Sequence, residues 1–403
     1  MKGIKNIVSI LLVICIAMGL LAGCGGSAAP SAAAPASSAT ASGAASAPAA
    51  PASSATASGA ASAPAAPSAD RQKITLKIGG GHPSNTMAYT AVCQDFFQSE
   101  ISRRCAEETN YDIEWIEAYG GTIAKLAECL TACQQGLLDV MCSSYSFDNK
   151  KLFLMNMPYY IPFSSPDPVT VTQAARKTVD QFPEIYENLW STYNQKFLAF
   201  GPTGRYELIT NFPVNSLSDL SGHKIAAAGA NLPWLDAGNS IPVQSNLNEA
   251  YTSIQTGVYE GWVMWPDSSY RYKLHEVAPY YTFVGFGAMP IQGISINLDV
   301  WNKLDPSVQK IFTEVAAEYE VKSAETAKQW DEEATEEMKA AGVTVTDLPA
   351  ADVEKWIESL PNIPQEKADE ATQMGYPGVE IFNAYIAAQK ELGYTYPREW
   401  VIE

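Results

Sequence analysis

The stretch "IPVQSNLNEAYTSIQTGVYEGWVMW", residues 241–265, decides the fold class. Its first part, "IPVQSN", predicts a strand, "LNEAYTSIQ" predicts a helix that Gly257 ends, and "GWVMW" predicts a second, buried strand. A strand, a helix and a strand in close succession form a βαβ unit, whose two strands lie parallel in one sheet. The stretch therefore predicts an α/β fold.

The same order of elements occurs earlier in the chain. "KITLKIGG" and "YDIEWIEAY" predict strands on either side of a long helix over residues 86–109. "TIAKLAECLTACQQG" predicts a helix that Gly136 ends, and "LLDVMCSSY" predicts a buried strand. Later, "KIAAAG" predicts a strand and residues 233–240 predict a helix. Two such series predict two α/β lobes with mainly parallel sheets.

The length of the chain also favours two lobes. About 333 residues follow residue 70, which is more than one compact core usually serves. We expect lobe I to comprise residues 71–201 plus 288–330, and lobe II to comprise residues 202–287 plus 331–403.

The first 24 residues have the layout of a secretory signal. Lys2 and Lys5 precede an apolar run over residues 7–21, and "LAGC" ends at Cys24, which resembles a bacterial lipobox. We expect a signal peptide over residues 1–23 and a lipid anchor on Cys24, with the rest of the chain outside the membrane. A plain cleaved signal and an uncleaved anchor are the alternatives.

A low-complexity segment follows over residues 24–70. It consists almost entirely of Ala, Ser, Pro, Gly and Thr, and "PASSATASGAASAPAA" occurs at 35–50 and again at 51–66. Because the segment offers no large apolar side chain to bury, we expect a flexible tether that holds the lobes off the membrane.

The charge of the chain excludes two classes of partner. The sequence has 44 acidic and 26 basic residues, a net charge of −18, which becomes −20 when Lys2 and Lys5 leave with the signal. A surface this negative repels nucleic acid and anionic lipid head groups, so we expect neither as a partner.

The cysteines of the predicted lobes lie in apolar stripes at helical spacing. One stripe is Cys93, Phe97, Ile101 and Cys105, and the other is Leu126, Leu130, Cys133 and Leu137, with Cys129 one turn before Cys133. Together with Cys142 there are five thiols, an odd number that cannot all pair. Buried free thiols are the favoured interpretation; one disulfide and a metal site are the alternatives.

The sequence contains no complete enzyme signature. It has no G-x-S-x-G elbow, phosphate-binding G-x-x-x-x-G-K-[ST] loop or H-E-x-x-H pair, and "GGGHPS" at 79–84 lacks the third glycine of a dinucleotide-binding loop. We therefore expect no catalytic residues, no cofactor and no metal.

The carboxyl ends of the predicted strands indicate a small-molecule site. These ends are "GGGHPSN", "EAYGGT", "SSYSFD", "AGANLPW" and "MWPDSSY". They supply hydroxyls, amides and aromatic walls but few titratable groups, and ligands of open α/β sheets bind at this edge. Such chemistry favours holding a small molecule over transforming it.

The order of motifs along the chain resembles that of the substrate-binding subunits of tripartite ATP-independent periplasmic (TRAP) transporters. The resemblance rests on the order of "GHPSNTM", "GGTIAKLAECLTACQQGLLDV", "GRYELITNFPVNSLSDLSGHKI", "IPVQSNLNEAYTSIQTGVYEG" and "VWNKLDPSVQKIF". It implies a monomeric Venus-flytrap receptor with a long helix within residues 305–341, working with separate integral-membrane permease subunits. The receptor subunit of an ATP-driven importer is the alternative.

The resemblance also implies a carboxylate clamp of two arginines. The first falls on Arg205 in "GRYEL", but the second position holds Ala226, whose methyl group cannot replace a bidentate guanidinium. Three ligand hypotheses follow: a monocarboxylate with an apolar or aromatic body held by Arg205, a neutral or zwitterionic solute, or an acid held by Arg271 or Lys273. The first is favoured here.

Each candidate residue has a structural alternative. Arg205 could form an ion pair at the hinge, and His82 could lie in a surface turn. Trp262 and Trp265 are three residues apart on a predicted strand, so we expect at most one of them to face the ligand. The candidate ligand-binding residues are Arg205, His82, Tyr119, Tyr145, Asn231, Trp234, Asn246, Trp262 and Trp265.

Overall fold

The computed structural model describes residues 70–403, so the predicted signal peptide, Cys24 and the tether up to residue 69 lie outside the described residues. The strands are β1 (Gln72–Gly79), β2 (Tyr111–Ala118), β3 (Val140–Ser144), β4 (Gln195–Gly201), β5 (Arg205–Thr210), β6 (Lys224–Ala227), β7 (Ile241–Gln244), β8 (Gly261–Met264), β9 (Tyr280–Ala288), β10 (Gln292–Asn297) and β11 (Thr344–Asp347). The α-helices are α1 (Ala88–Val92), α2 (Ser99–Glu108), α3 (Cys129–Gln134), α4 (Pro168–Gln181), α5 (Pro183–Ser191), α6 (Leu247–Gln255), α7 (Pro266–Arg271), α8 (Leu298–Trp301), α9 (Pro306–Ala340), α10 (Ala350–Ser359), α11 (Ile363–Gln373) and α12 (Gly378–Glu391).

The strands form two sheets, one in each lobe. The sheet of lobe I has the order β2-β1-β3-β10-β4, and the sheet of lobe II has the order β11-β9-β5-β8-β6-β7. Five of the nine strand pairs in the described chain are parallel, and β5 and β10 supply the antiparallel ones. The prediction of two α/β lobes with mainly parallel sheets is confirmed, including the β7-α6-β8 unit of residues 241–265.

Two crossing segments join the lobes. One runs from Gly201 at the end of β4 to Arg205 at the start of β5, and the other runs from Ala288 to Gln292. The backbone N–H of Thr203 donates to the carbonyl of Met289 at 2.9 Å, and the Met289 N–H donates to the Thr203 hydroxyl at 3.1 Å. These bonds hold the two crossing segments side by side.

The long helix α9 contacts both lobes. Asp305 accepts a hydrogen bond from the Ser307 N–H at 2.9 Å, and Pro306 occupies the first helical position, so the helix begins with a side-chain cap. Its buried face then repeats at helical spacing over 35 residues. One half packs against α1, α2 and β4, the other against α7 and β11, as the resemblance implied.

Two predicted helices are shorter in the structure. The helix expected from Thr122 is a 3₁₀ turn at Leu126–Glu128 followed by α3, and the helix expected near 233–240 is a single 3₁₀ turn at Leu232–Leu235. The helix expected over 86–109 is present as α1, a π-helical turn at Cys93–Gln98 and α2.

The C-terminal helices do not follow the expected lobe boundary. The segment 331–403 was expected in lobe II, but α12 packs against α4, and α11 packs against α12 and against the 3₁₀ segment Phe153–Tyr160. The stacked rings of Tyr160 and Phe382, 6.4 Å apart, belong to this contact. This end of the chain therefore bridges back to lobe I.

The five described cysteines are buried and unpaired. Cys93, Phe97, Ile101 and Cys105 form the predicted core stripe. The second stripe is wrong at both ends, because Leu126 lies in a 3₁₀ turn and is only partly buried, and Leu137 is 52% exposed while Leu138 is buried instead. The cause at Leu137 is the end of α3 at Gln134, after which Gly136 reverses the chain at φ +72°.

Candidate functional site

A small cavity lies between the lobes, close to the carboxyl ends of β1, β3 and β8. Its volume is about 30 Å³, near the space that one water molecule occupies in the liquid. The lining residues are His82, Met87, Ser144, Ser146, Phe147, Tyr159, Tyr206, Ala228, Asn246, Leu247, Trp262, Val263, Met264, Trp265, Ile291 and Gln292. A solute of more than a few heavy atoms can enter only if the walls of this cavity move apart.

The cavity lining carries no formal charge. None of its residues is Asp, Glu, Lys or Arg, and its polar groups are hydroxyls, amides, one imidazole and two indoles. The Ser144 and Ser146 hydroxyls lie 2.9 Å apart, and the Tyr159 and Tyr206 hydroxyls lie 2.5 Å apart across the two lobes. These groups can donate to or accept from a ligand but cannot neutralise a charged one.

His82 is a neutral member of the lining. Its Nδ1 lies 2.8 Å from the Tyr89 hydroxyl, which leaves Nε2 to meet a ligand. Burial disfavours the imidazolium and lowers the pKa of His82 from 6.5 to about 4. The ring is therefore uncharged at pH 7, and it packs edge-on against Phe147 at 6.0 Å.

Trp262 and Trp265 both line the cavity, so the prediction that at most one of them does so is wrong. β8 ends at Met264, and Trp265 is the N-cap of α7, where the two-residue alternation of a strand no longer applies. Trp265 packs edge-on against Tyr206 with ring centroids 5.0 Å apart. The Trp262 Nε1–H is buried and has no partner among the described residues.

Arg205 lies outside the cavity, which corrects the expectation that its guanidinium faces the ligand. Alternate residues of β5 point to opposite faces, so Tyr206 faces the cavity while Arg205 and Glu207 face away. The guanidinium lies over the Phe283 ring at 4.1 Å, and its Nε is 4.0 Å from a Glu207 carboxylate oxygen. Arg205 therefore lies on the other face of the lobe II sheet, where it lines a separate cavity of about 1080 Å³ together with Glu207 and Arg398.

The two other basic candidates also lie elsewhere. Arg271 donates to Asp267 at 2.6 Å and lies over the Trp330 ring at 3.7 Å. Lys273 is 3.6 Å from Glu276. No cation replaces the missing arginine in the lining, and Ala226 itself is buried in the lobe II sheet, while Ala228 lines the cavity.

Tyr119 and Tyr145 are core residues of lobe I, which corrects their assignment to the site. The Tyr119 hydroxyl donates to Gln98 at 2.7 Å, and the Tyr145 ring packs against Trp190 at 5.4 Å. Both lie near strand ends as predicted, but their side chains turn into the core instead of toward the cavity.

Of the remaining candidates, Asn246 lines the cavity, whereas Asn231 and Trp234 lie one layer behind it. The Trp234 Nε1–H donates to the Tyr159 carbonyl at 2.8 Å, and its ring packs edge-on against Tyr206 at 5.5 Å. Asn231 accepts from the Ala228 N–H at 3.0 Å. These two residues support the wall that Tyr159, Tyr206 and Ala228 present.

Sequence reasoning missed several lining residues. Tyr206 could have been found from strand alternation beside Arg205, and Ser144 and Ser146 stand in the quoted strand end "SSYSFD". Gln292 and Tyr159 come from a crossing segment and a 3₁₀ segment that carry no recognisable signal. Within residues 70–403 no cluster of His, Cys, Asp or Glu is arranged to hold a metal ion, and no helix is long and apolar enough to cross a bilayer.

Two lobes joined by crossing segments, with a cavity between them, define a two-lobed solute-binding protein. The family model described as bacterial extracellular solute-binding protein, family 7, matches residues 82–370. The chain belongs to this family, whose members are solute receptors and not enzymes.

Individual relatives agree with this assignment. The chain is 26% identical over 197 residues to the C4-dicarboxylate-binding periplasmic protein of Rhodobacter capsulatus, covering 48% of this chain and 57% of the relative. It is 22% identical over 198 residues to the ectoine/5-hydroxyectoine-binding periplasmic protein of Ruegeria pomeroyi, covering 49% and 58%. The chain thus spans little more than half the length of these curated relatives.

Solved structures show the same fold. A TRAP solute-binding protein of Rhodoferax ferrireducens, in complex with copurified benzoate, superposes with a TM-score of 0.70 at 14% identity, covering 79% of this chain and 98% of that chain. This likeness concerns the fold of the two lobes.

The low pKa of His82 predicts a loss of stability in acid. Between the ordinary pKa of 6.5 and about 4, the unfolded chain binds a proton that the folded chain does not, so the free energy of unfolding falls as pH falls through this window. In His82→Gln, the decrease in unfolding free energy from pH 7 to pH 4 should be smaller than in the wild type by about 3 kcal/mol. Urea unfolding at both pH values measures it, and equal decreases would show that His82 titrates normally.

Proposed function

We propose that this protein is the solute receptor of a TRAP-type transporter and binds an uncharged or zwitterionic solute with an apolar body. One observation carries the proposal: the cavity lining contains no Asp, Glu, Lys or Arg. Burying a carboxylate there would cost several kcal/mol without a cation to offset it, whereas an uncharged solute loses less on leaving water and a zwitterion carries its own cation to offset part of the cost. The aromatic walls suit an apolar body of the ligand.

The unpartnered indole supports a specific contact. A buried N–H without an acceptor destabilises the empty cavity by about 1–3 kcal/mol, and a ligand oxygen that accepts from Trp262 Nε1 recovers this loss. Ser144, Ser146 and Asn246 can complete the recognition of hydroxyl or amide groups on the ligand. Trp265 and Met264 would pack against the apolar body.

The mechanism we propose is conformational. The cavity of about 30 Å³ holds no organic solute until the lobes separate, so ligand enters an open form and contacts both lobes fully only after closure. The binding energy then shifts the protein toward the closed form. We propose that integral-membrane permease subunits recognise this form, which is testable as solute uptake that requires both the receptor and the permease.

A monocarboxylate with an apolar or aromatic body is the second candidate. The solved structure from Rhodoferax ferrireducens described above contains benzoate, an acid of this type. In this chain such an acid would depend on hydroxyl, amide and indole donors, because Arg205 lies on the other face of β5.

A thermal-shift screen of the protein separates the two candidates. Uncharged solutes, zwitterions including ectoine, monocarboxylates including benzoate, and dicarboxylates should be compared at equal concentration. A ligand at a hundred times its Kd adds about 2.7 kcal/mol and raises Tm by a few degrees. We expect hits among the uncharged and zwitterionic solutes. Hits confined to carboxylates would overturn the proposal in favour of the second candidate.

Trp262→Phe tests the indole contact with the solute that the screen selects. The substitution removes Nε1–H but keeps an aromatic ring, so affinity should fall about tenfold, the effect of one lost hydrogen bond. Trp190→Phe is the matched control, because Trp190 is equally buried and its Nε1–H also lacks a partner among the described residues, but it lies in lobe I away from the cavity. Calorimetric titration measures both, and equal affinities in the two variants would remove Trp262 from the ligand contacts.

We also propose that Cys24 carries the lipid anchor, on the basis of the "LAGC" sequence alone. Cys24→Ala should move the protein from the membrane fraction to the soluble fraction of bacterial cells that express it. Cys15→Ala changes a cysteine inside the apolar run and should leave the protein in the membrane fraction. Retention of the Cys24→Ala protein by membranes would favour an uncleaved anchor.

A further inference from the structure

Helix α9 holds both ends of the crossing segment between β4 and β5 through hydrogen bonds to two buried carboxylates. Glu320 accepts from the backbone N–H of Phe200 at 2.7 Å, just before the segment. Asp331 accepts from the backbone N–H of Arg205 at 2.8 Å, just after it. Glu320 and Asp331 are 7% and 4% exposed. The same helix thus holds the last part of lobe I and the first part of lobe II.

The spacing of the two carboxylates matches the length of the segment. Glu320 and Asp331 are eleven positions apart, which is close to three helical turns, so both lie on one face of α9 about 16 Å apart. The five residue steps from Phe200 to Arg205 cover about 17 Å when extended. The segment therefore spans the distance between its two attachments with little slack.

Two glycines allow the segment to approach the helix this closely. A Cβ atom on Gly204 would lie 2.0 Å from a carboxylate oxygen of Asp331, and a Cβ on Gly201 would lie 2.8 Å from the Tyr319 hydroxyl. Both distances are too short for real contacts, so any other residue would push the segment off α9. Gly201 and Gly204, on either side of Pro202 and Thr203, thus allow the segment to lie in close contact with α9.

The two attachments differ in strength. Glu320 is also held by the Arg176 guanidinium through both carboxylate oxygens, one of them at 3.1 Å from Arg176 Nε. Asp331 has no Lys, Arg or His within ion-pair distance in the described part of the chain, and the donors to its carboxylate are the backbone N–H groups of Arg205 and Asp267. The Asp331 end is the weaker of the two.

Asp331 also contacts the wall of the cavity. Its second oxygen accepts from the backbone N–H of Asp267 at 3.2 Å, at the start of α7 and two residues after Trp265. A movement of Trp265 on ligand binding would therefore reach Asp331 through two residues of backbone.

We infer that Asp331 is a positioning residue that couples the cavity to the hinge. Bending the segment between Gly201 and Arg205 shortens its span, so the lobes can open only when one attachment to α9 is released, and the Asp331 end releases. Asp331 does not touch the ligand. It sets how much of the ligand-free protein is closed, and this inference rests on the proposed opening and closing of the lobes but not on the identity of the solute.

The test measures the lobe separation directly, without ligand. Spin labels are attached at Ile116→Cys on β2 and Ile241→Cys on β7, two exposed positions in opposite lobes, while the five native thiols of residues 70–403 are buried. Asp331→Asn keeps the shape of the side chain but can accept through only one oxygen. The ratio of open to closed protein should rise about tenfold or more over that of the wild type.

Ser323→Ala is the matched control, because Ser323 is buried on α9 but donates only to the Glu320 carbonyl of its own helix. Its distance distribution should equal that of the wild type. Asp331→Glu keeps the carboxylate, so its closed population should be larger than that of Asp331→Asn. A wild-type distribution in folded Asp331→Asn protein would overturn the inference, whatever the solute screen finds.

A second measurement needs no substitution at Asp331. In the wild type, the amide protons of Arg205 and Asp267 should exchange with solvent at least about tenfold faster than that of Phe200, because the Asp331 end releases during opening. Equal exchange, or faster exchange at Phe200, would contradict the inference even if Asp331→Asn failed to fold.

Discussion

Burial of one face of α9 against both lobes is the interaction on which the rest of the structure depends. Each sheet presents its own core, but the two cores share this helix, since its first half packs on α1, α2 and β4 and its second half on α7 and β11. In this closed arrangement both lobes are thus held against one helix of 35 residues, in addition to the irregular segments that cross between them. The cavity between the lobes is narrow because both of its walls are attached to this one helix, α9.

The elements of the fold could be predicted from sequence where periodicity and stop signals agreed. The β7-α6-β8 unit was predicted within a residue or two because Gly257 ends its helix and both strands are short and apolar. The helix before Gly136 was predicted with the wrong bounds because the apolar spacing of the sequence continues beyond Gln134, the last helical residue. The bridging of α12 to α4 depends on contacts between distant parts of the chain, which no local pattern reports.

The candidate site was harder to predict than the fold because side-chain direction decides it. A single step along β5 exchanges Arg205 for Tyr206 at the cavity, so an arginine assigned by motif lands on the wrong face. His82, Asn246 and Trp265 follow strand ends and Trp262 lies within β8, and all four line the cavity. The net charge of −18 adds a consistent electrostatic term: a negative surface lowers the local concentration of anions, while a lining without charge gives them no compensating attraction.

The five buried thiols require that this protein folds before its cysteines are oxidised. Burial raises the pKa of Cys105 to about 11 and also raises the pKa values of Cys129, Cys133 and Cys142, so these four folded thiols carry almost no reactive thiolate at neutral pH. An unfolded chain has no such protection, and the five thiols of its residues 70–403 can be joined into non-native disulfides by any oxidant it meets. For a chain that folds after export, folding and oxidation are competing rates. The helix that carries Cys93 and the strand that carries Cys142 must therefore bury the two sulfur atoms before an oxidant reacts with them.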